Sequence, residues 1–529
     1  MYACPNCGAN MRYDIKSKKL FCDYCENKIE PLDHPKAIEE AGEATYDATI
    51  FTCPQCGGEI VSTDHEAATS CPFCGSSVAL EGRLSGEKTP ESIIPFRITK
   101  KNCIQIYQDG IKKVWCLPKD LKSEDHLEKF QGIYLPYWIY NVTQKGPVRV
   151  NGVRVRGDTR EYCHMNFDLD TEFDTIQYDG SSSFDDALSL AVAPFRMKDL
   201  EDFSTAYMSG FCADTEDVPS HVYREDAKED ANLYTLNHIS KRSSKYKGMS
   251  VNEPDNMNVA FHTKVEKETR AMLPVWFLTY RNRNRVAYAV VNGQTGKMIA
   301  DLPVDIKQFL LFSLGFAAAA FVPLSLLVML PSTMLKWALA LSIGIQILYV
   351  QNIRKLVARE THANDKGYLR QDVDPKQKRL QKLVRKKRKK SNNTDGAYYI
   401  GVIGAIAVFM LAFTGSIRLV FMAIFYLAPY YYVPFIAISL YLTIYCIQLA
   451  VLGKRKLDIF PDILCLLAGQ GLAFYILYTR PVHDYWYYGA AAILFASMLF
   501  NVVRMIVKYN VYCTHGIPNF FDRKGGTQA

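Results

Sequence analysis

The chain has 529 residues, with 62 Lys or Arg against 54 Asp or Glu and 15 cysteines. That length holds several domains, and an apolar share of 49% conceals a division: residues 1 to about 305 mix charged and apolar stretches, while long uncharged runs fill the rest. The first long apolar run comes only after residue 305, so no secretory signal is expected and a secreted protein is not.

Two early stretches, CPNCGANMRYDIKSKKLFCDYC from Cys4 and CPQCGGEIVSTDHEAATSCPFC from Cys53, share one spacing, with fourteen residues between Cys7 and Cys22 and fourteen between Cys56 and Cys71. Four thiolates so spaced can take the corners of a tetrahedron around Zn2+. Cys4, Cys7, Cys22 and Cys25 are expected to hold one ion, and Cys53, Cys56, Cys71 and Cys74 a second, in small ribbons over 1–30 and 51–83 joined by an acidic linker, 31–50. All four positions are Cys, which leaves no open place for catalysis and reads as structural. Three of the four turns run Cys-Pro-x-Cys-Gly, where Gly supplies a positive φ. The fourth, Cys22-Asp-Tyr-Cys25-Glu26, lacks that Gly and is expected to be looser. Disulfides are the alternative, but two matched sets favour zinc, and thiolate zinc implies a reducing cytosol.

Over residues 1–90 there are fourteen acids against eight basic residues. Affinity for nucleic acid comes mainly from Lys and Arg on phosphates, so the ribbons read as structural or protein-contacting modules for an unidentified partner. Nucleic-acid binding through Lys16, Lys18 and Lys19 is the alternative.

Residues 89–305 read as an α+β cytosolic domain. YLPYWIYNV (Tyr134 to Val142) and MLPVWFLTYR (Met272 to Arg281) form a faint repeat, with apolar alternation after Leu-Pro-x-Trp. Proline is expected to begin or edge each strand, and Asn292-Gly293 to turn the chain in an antiparallel sheet. Trp138 and Trp276 read as core anchors. Helices are expected near Asn102 to Trp115 and Phe184 to Ala191, and NFDLDTEFDTIQYDGSSSFDD and CADTEDVPSHVYREDAKEDAN as solvated acidic faces. The remaining cysteines (103, 116, 163, 212, 446, 465, 513) lack metal-ligand spacing and read as small apolar residues. No phosphate loop, dinucleotide fingerprint, nucleophile elbow or His-Glu-x-x-His motif occurs, so no enzyme class is legible, and an enzyme or transporter hidden in the α+β domain or the helices is a minor third reading.

A membrane helix needs about 20 apolar residues. Six spans are expected: Phe309 to Leu330 and Met334 to Ile353 as a hairpin (309–353), then, within 398–507, Tyr398 to Thr414, Val433 to Leu452, Ile459 to Tyr478 and Trp486 to Val507. Leu419 to Tyr432 is too short to span and reads as re-entrant or interfacial. Arg354 to Lys390 carries fifteen basic residues and four acids, and Lys454-Arg455-Lys456 follows the fourth span. Both lie on the cytosolic side if the ribbons do, as the positive-inside rule asks, which puts both termini, including the tail 508–529, in the cytosol. The basic loop 354–397 includes PKQKRLQKLVRKKRKK, whose residues 376–390 read as an anchor for anionic lipids or as a topology signal. Without interleaved aromatics that run is a weak nucleic-acid site. Ionisable residues sit only near span ends, and Gln346, Gln448, Gln470, Asn501 and the Gly469-x-Gly471 pair are expected to join helices, so an all-α anchoring bundle is preferred to a conduction path.

The twin ribbons, IIPFRITK (93–100), QGIYLPYWIYNV (131–142), LPVWFLTYR, NGQTGKMIADLP and PNFFDRKGG together resemble a group of uncharacterised bacterial membrane proteins with a transcription-factor-B-type zinc ribbon. The likeness covers nearly the whole chain and implies zinc, a bacterial cytoplasmic membrane and no known activity. Names in that family that suggest DNA work rest on the cysteine turns alone.

Overall fold

The computed structural model describes residues 2–62, 71–76, 81–156, 159–247, 249–325, 330–361, 432–452, 456–518 and 520. The chain divides into two units, one of Met1–Asp305, Asn364–Gln371 and Cys513–Ala529, the other of Ile306–Ala363 and Asp372–Tyr512.

In the first unit, Tyr2–Ala3, Asn10–Asp14, Lys19–Cys22 and Lys28–Ile29 form a four-stranded antiparallel sheet in chain order. Met11 and Tyr13 alternate with exposed Arg12, so one face is buried. Residues 31–50, expected as a linker, are ordered: Pro35–Glu39 is a short helix, and Thr45–Thr52 is a strand paired on both sides, with Glu59–Ser62 and Glu81–Lys88. Tyr46, Ala48 and Ile50 are buried at alternate positions there, a period-2 signal that the Asp and Glu around it obscured.

Those strands join a thirteen-stranded sheet, because Glu59–Ser62 pairs with Cys212–Asp214, which pairs in turn with the long strand Gln131–Arg156. At its centre Gln131–Arg156 runs antiparallel to Thr263–Asn282, and the two Leu-Pro-x-Trp segments face each other, Leu135 opposite Leu273. The prolines therefore lie inside central strands, not at starts or edges. The physical reason is the same in both. Pro136 falls where the neighbour Cys212–Asp214 has ended and Thr159–Asp179 begins, and Pro274 falls between Ser92–Ile93 and Arg285–Asn292. At these gaps the missing donor breaks no strand ladder, while each proline carbonyl is used, by Gly180 N–H (2.7 Å) and Gly293 N–H (2.9 Å). Trp276 is a buried core anchor and Trp138 is half-buried against the core; both indoles are satisfied, Trp138 donating to the Val218 carbonyl (2.8 Å) and Trp276 to that of Ile98 (2.7 Å).

Gln131–Arg156 and Thr159–Asp179 continue as a long hairpin, and the helix Arg224–Lys247 packs on one face of it, with Leu236 and Ile239 against Val148, Val150 and Met165. On the hairpin's other face Asp168, Asp170, Glu172 and Asp174 of the first acidic stretch are exposed, as expected. Both stretches also depart from that expectation: Asp179 and Asp186 of the first and Asp214 and Asp226 of the second are buried, with Asp186 accepting the Tyr223 hydroxyl (2.6 Å) and Asp214 that of Ser181. Lys100–Ile111 and Asp186–Val192 are the two expected helices, shifted by a few residues because Thr99 and Asp185 cap their first turns.

In the second unit the described helices are Ile306–Ser325, Pro331–Glu360, Tyr432–Leu452, Lys456–Thr479 and Tyr485–Tyr512. Three of the described helices are long and apolar enough to cross a membrane: Pro331–Glu360, Ile459–Thr479 and Tyr485–Tyr512. The expected span 398–414, nearly all of the segment 419–432 and the run 376–390 lie outside the described residues. Inside the bundle Gln346 donates to the Ser439 carbonyl (3.1 Å) and Thr443 hydroxyl (3.0 Å), and Gln470 accepts from Ser439 (2.7 Å) and donates to Ser342 (3.1 Å). Gly469 lets Ser497 approach, since a Cβ there would lie 2.6 Å from its hydroxyl, whereas Gln448 is exposed and Gly471 has nothing within 4 Å of a Cβ. Asp462, expected near a span end, is fully buried and takes Arg504 (2.8 Å), Lys508 and the Tyr349 hydroxyl.

Candidate metal centres

The eight cysteines sit on four turns of one geometry. In each, the first Cys carbonyl accepts the N–H four residues on: Gly8 to Cys4 (2.7 Å), Glu26 to Cys22 (2.9 Å), Gly57 to Cys53 (2.8 Å) and Gly75 to Cys71 (2.9 Å). Each first Cys also donates its N–H across the turn, to Ala9, Asn27, Gly58 and Ser76, at 2.7–3.0 Å. The closing residue takes a left-handed φ every time, 77° at Gly8, 72° at Gly57, 67° at Gly75 and 58° at Glu26. The fourth turn, expected to be looser, is closed like the others, with a non-Gly residue held where an L side chain is strained.

The turns bring four sulfurs together twice. Within each set all four lie within 4.8 Å of one another. Cys4 to Cys25 and Cys7 to Cys22 are 3.5 Å apart, and Cys53 to Cys74 and Cys56 to Cys71 are 3.7 Å apart. Tetrahedral Zn–S bonds of about 2.3 Å put sulfurs roughly 3.8 Å apart, so both sets fit such an ion, and all eight are free thiols. In the second set hydrogen bonding from Cys56, Cys71 and Cys74 draws Cys53 below the ordinary thiol range, while Cys53 in turn drives Cys56 and Cys71 above it. Four sulfurs this close cannot share negative charge unaided; a dication removes that conflict.

The two centres differ in setting. In the first, Cys4 and Cys22 are buried, Cys25 is half-buried and Cys7 is exposed. It rests on the rest of its unit through Tyr13 N–H to the Ser209 carbonyl (3.1 Å) and the Ser209 hydroxyl to the Met11 carbonyl (2.7 Å). Of the Lys16 to Lys19 patch, Lys19 is paired with Glu30 (2.8 Å). In the second all four are buried. The hairpin of Thr263–Asn282 and Arg285–Asn292 supports it: Thr279 donates to the Pro72 carbonyl, Tyr288 to that of Phe73 (2.7 Å), and Arg281 to Gln55 (2.8 Å). Burial, with the nearby thiols of Cys56 and Cys71 adding to it, pushes the Tyr288 phenol far above its ordinary range. Phe520, from beyond the last helix, closes the other side, a contact that only the apolar pair in NFFDRKGG could have signalled.

No protein-family model matches the chain, and no solved structure does. The chain is 29% identical over 335 residues to a Bacillus subtilis (strain 168) protein described as uncharacterized protein YdjG, an overlap of 61% of this chain and 96% of that relative. The chain is thus a distant relative of a bacterial protein, with two four-cysteine clusters that could hold metal, a sheet-rich domain and apolar C-terminal helices.

Proposed function

We propose that this is a membrane-anchored zinc-ribbon protein whose two four-cysteine modules face the cytosol of a bacterium and bind protein partners as a scaffold. The observation that carries the reading is the sulfur geometry, pairs at 3.5–3.7 Å with every ligand place taken by Cys, which suits a closed structural zinc and no catalytic one. The apolar helices supply the anchor and the basic run 376–390 a contact for anionic lipid, with both termini cytosolic. Protein contact is favoured over nucleic acid because residues 1–90 as a whole and the second module are acidic, and Lys19 in the first is already paired with Glu30.

The protein, purified in mild detergent, is expected to hold two equivalents of zinc by elemental analysis, and Cys53→Ser to hold one. No zinc in the parent, or two equivalents in Cys53→Ser, would overturn the ligand sets. Purification with and without nuclease then tests the partner: proteins that stay bound after nuclease support the scaffold, whereas material lost on nuclease would place the protein on DNA or RNA at the membrane.

A further inference from the structure

The segment that follows the last helix returns to the second metal centre. His515–Gly516 adds a strand to Arg285–Asn292, Gly516 opposite Arg285 and His515 opposite Val286. The Arg285 guanidinium holds the Thr514 hydroxyl (2.7 Å) and carbonyl (2.6 Å), and Ile517 N–H reaches the Asn284 carbonyl (3.3 Å). Phe520 is then 3% exposed, donates its N–H to the Cys56 carbonyl (2.6 Å), and sets its ring edge-on to Phe73 at 5.6 Å and 75°. Gly58 forms the floor, since a Cβ there would stand 2.7 Å from Phe73 and 3.3 Å from Phe520. The walls of this cleft are the two cysteine turns, Cys53–Gly58 and Cys71–Cys74, so what holds the turns together also builds the cleft.

We infer that the second four-cysteine module is a metal-built receptor for an extended peptide with an aromatic anchor, and that the chain's own tail, through Thr514–Pro518 and Phe520, occupies it in cis. The inference rests on the proposed protein-binding role and narrows the partner to a segment that pairs with the Arg285–Val286 end of Arg285–Asn292, beyond the stretch already paired with Met298–Ala300, and inserts one aromatic ring. Strand addition supplies main-chain hydrogen bonds, and a side-chain pocket supplies selectivity; a Phe ring buries a large apolar area and prefers the edge-on arrangement seen here. A tethered segment competes at an effective concentration of about 1 mM, so a free peptide that binds at about 1 µM is weakened roughly a thousandfold while the tail is in place.

The test uses the protein stopped after Tyr512, in mild detergent, and a labelled peptide THGIPNFF followed by fluorescence anisotropy. Saturable binding is expected to the shortened protein and at least about 100-fold weaker binding to the full chain. Phe520→Ala in the peptide is expected to weaken binding at least tenfold. Chelation of both metals is expected to abolish it, and Cys7→Ser, which empties only the first centre, to leave it unchanged. No binding to a shortened protein that still holds two metal ions overturns the inference, as does binding indifferent to Phe520→Ala or to chelation. Should the shortened protein fail to fold, Phe520→Ala in the full chain decides: one of two ions is expected to leave to a chelator at least tenfold faster, and unchanged release overturns the inference. The two readings fail separately. Peptide binding without co-purifying proteins removes the scaffold alone; co-purifying proteins without peptide binding remove the cis ligand alone.

Discussion

Glu26 is the one non-Gly residue that closes a cysteine turn, and its replacement tests how the turns are built. At φ 58° an L residue costs roughly 1–2 kcal/mol relative to its right-handed form, while a Gly in the unfolded chain gives back about 0.4–1 kcal/mol. Glu26→Gly should therefore stabilise the first module by about 0.8 kcal/mol. Metal binding and folding are one process in such a module, so its metal should be held about fourfold more tightly, at about 1.4 kcal/mol per tenfold. Gly8→Ala is the mirror experiment, for Gly8 has φ 77° and nothing within 4 Å of an added Cβ, so only the backbone is tested. It should weaken retention about fourfold. The assay is competition with a chromophoric chelator in a Cys53→Ser background, where only the first centre is loaded. Retention that falls in Glu26→Gly, or is indifferent to both substitutions, would refute the argument that positive φ limits the turn.

Asp462→Asn leaves Arg504 and Lys508 facing a neutral amide inside the bundle and should cost about 3–5 kcal/mol, read as a lower unfolding midpoint in detergent and SDS mixtures; an unchanged midpoint would show that the pair carries no such weight. His126 is buried and desolvation holds its pKa down to about 4, so the folded state keeps it neutral while the unfolded chain protonates below about 6.5. Stability tied to this ring is complete above pH 6.5 and is lost as pH falls toward 4, about 2 kcal/mol by pH 5; denaturant unfolding followed by tryptophan fluorescence should show that loss in the parent and not in His126→Leu, and equal losses would remove the histidine as its cause. Gly132→Ala would drive a Cβ to 2.6 Å from Phe211, whose ring stacks on Phe96 at 4.4 Å, and should cost about 1–3 kcal/mol in the same assay; no change would mean that the stack yields freely.

The cysteine sets were legible because their spacing is a local code: a Cys-x-x-Cys turn and its partner need only a short hairpin between them, and the sulfurs meet as the numbers suggest. Three of the six expected spans, Met334 to Ile353, Ile459 to Tyr478 and Trp486 to Val507, were legible for the same reason, as runs long enough to read without knowing their neighbours. What was not legible depends on which strand lies beside which. Pro136 and Pro274 read as strand edges because a lone sequence does not show that each would stand at a gap between two neighbours. Thr45–Thr52 read as linker because its charged positions outweigh Tyr46, Ala48 and Ile50, though their alternation was present. Phe520 lies over 440 residues from the turns it covers, and no periodicity spans that distance.

The same distinction separates two centres of one chemistry. The first keeps its own four-stranded sheet and meets its unit mainly through side chains such as Tyr2, Met11 and Leu20, with Tyr13 N–H to the Ser209 carbonyl as a backbone link. The second has no such independence. Glu59–Ser62, which follows directly on its first turn, is paired on one side with Thr45–Thr52 and on the other with Cys212–Asp214, and through it with the central strand. Stability that metal binding confers on a module is confined to whatever folds cooperatively with it. At the first centre that is a small sheet with an exposed ligand, Cys7, where a chelator or oxidant can begin. At the second it includes strands of the main sheet and the segment that ends in Phe520, so an ion bound there acts on contacts far beyond its own four sulfurs.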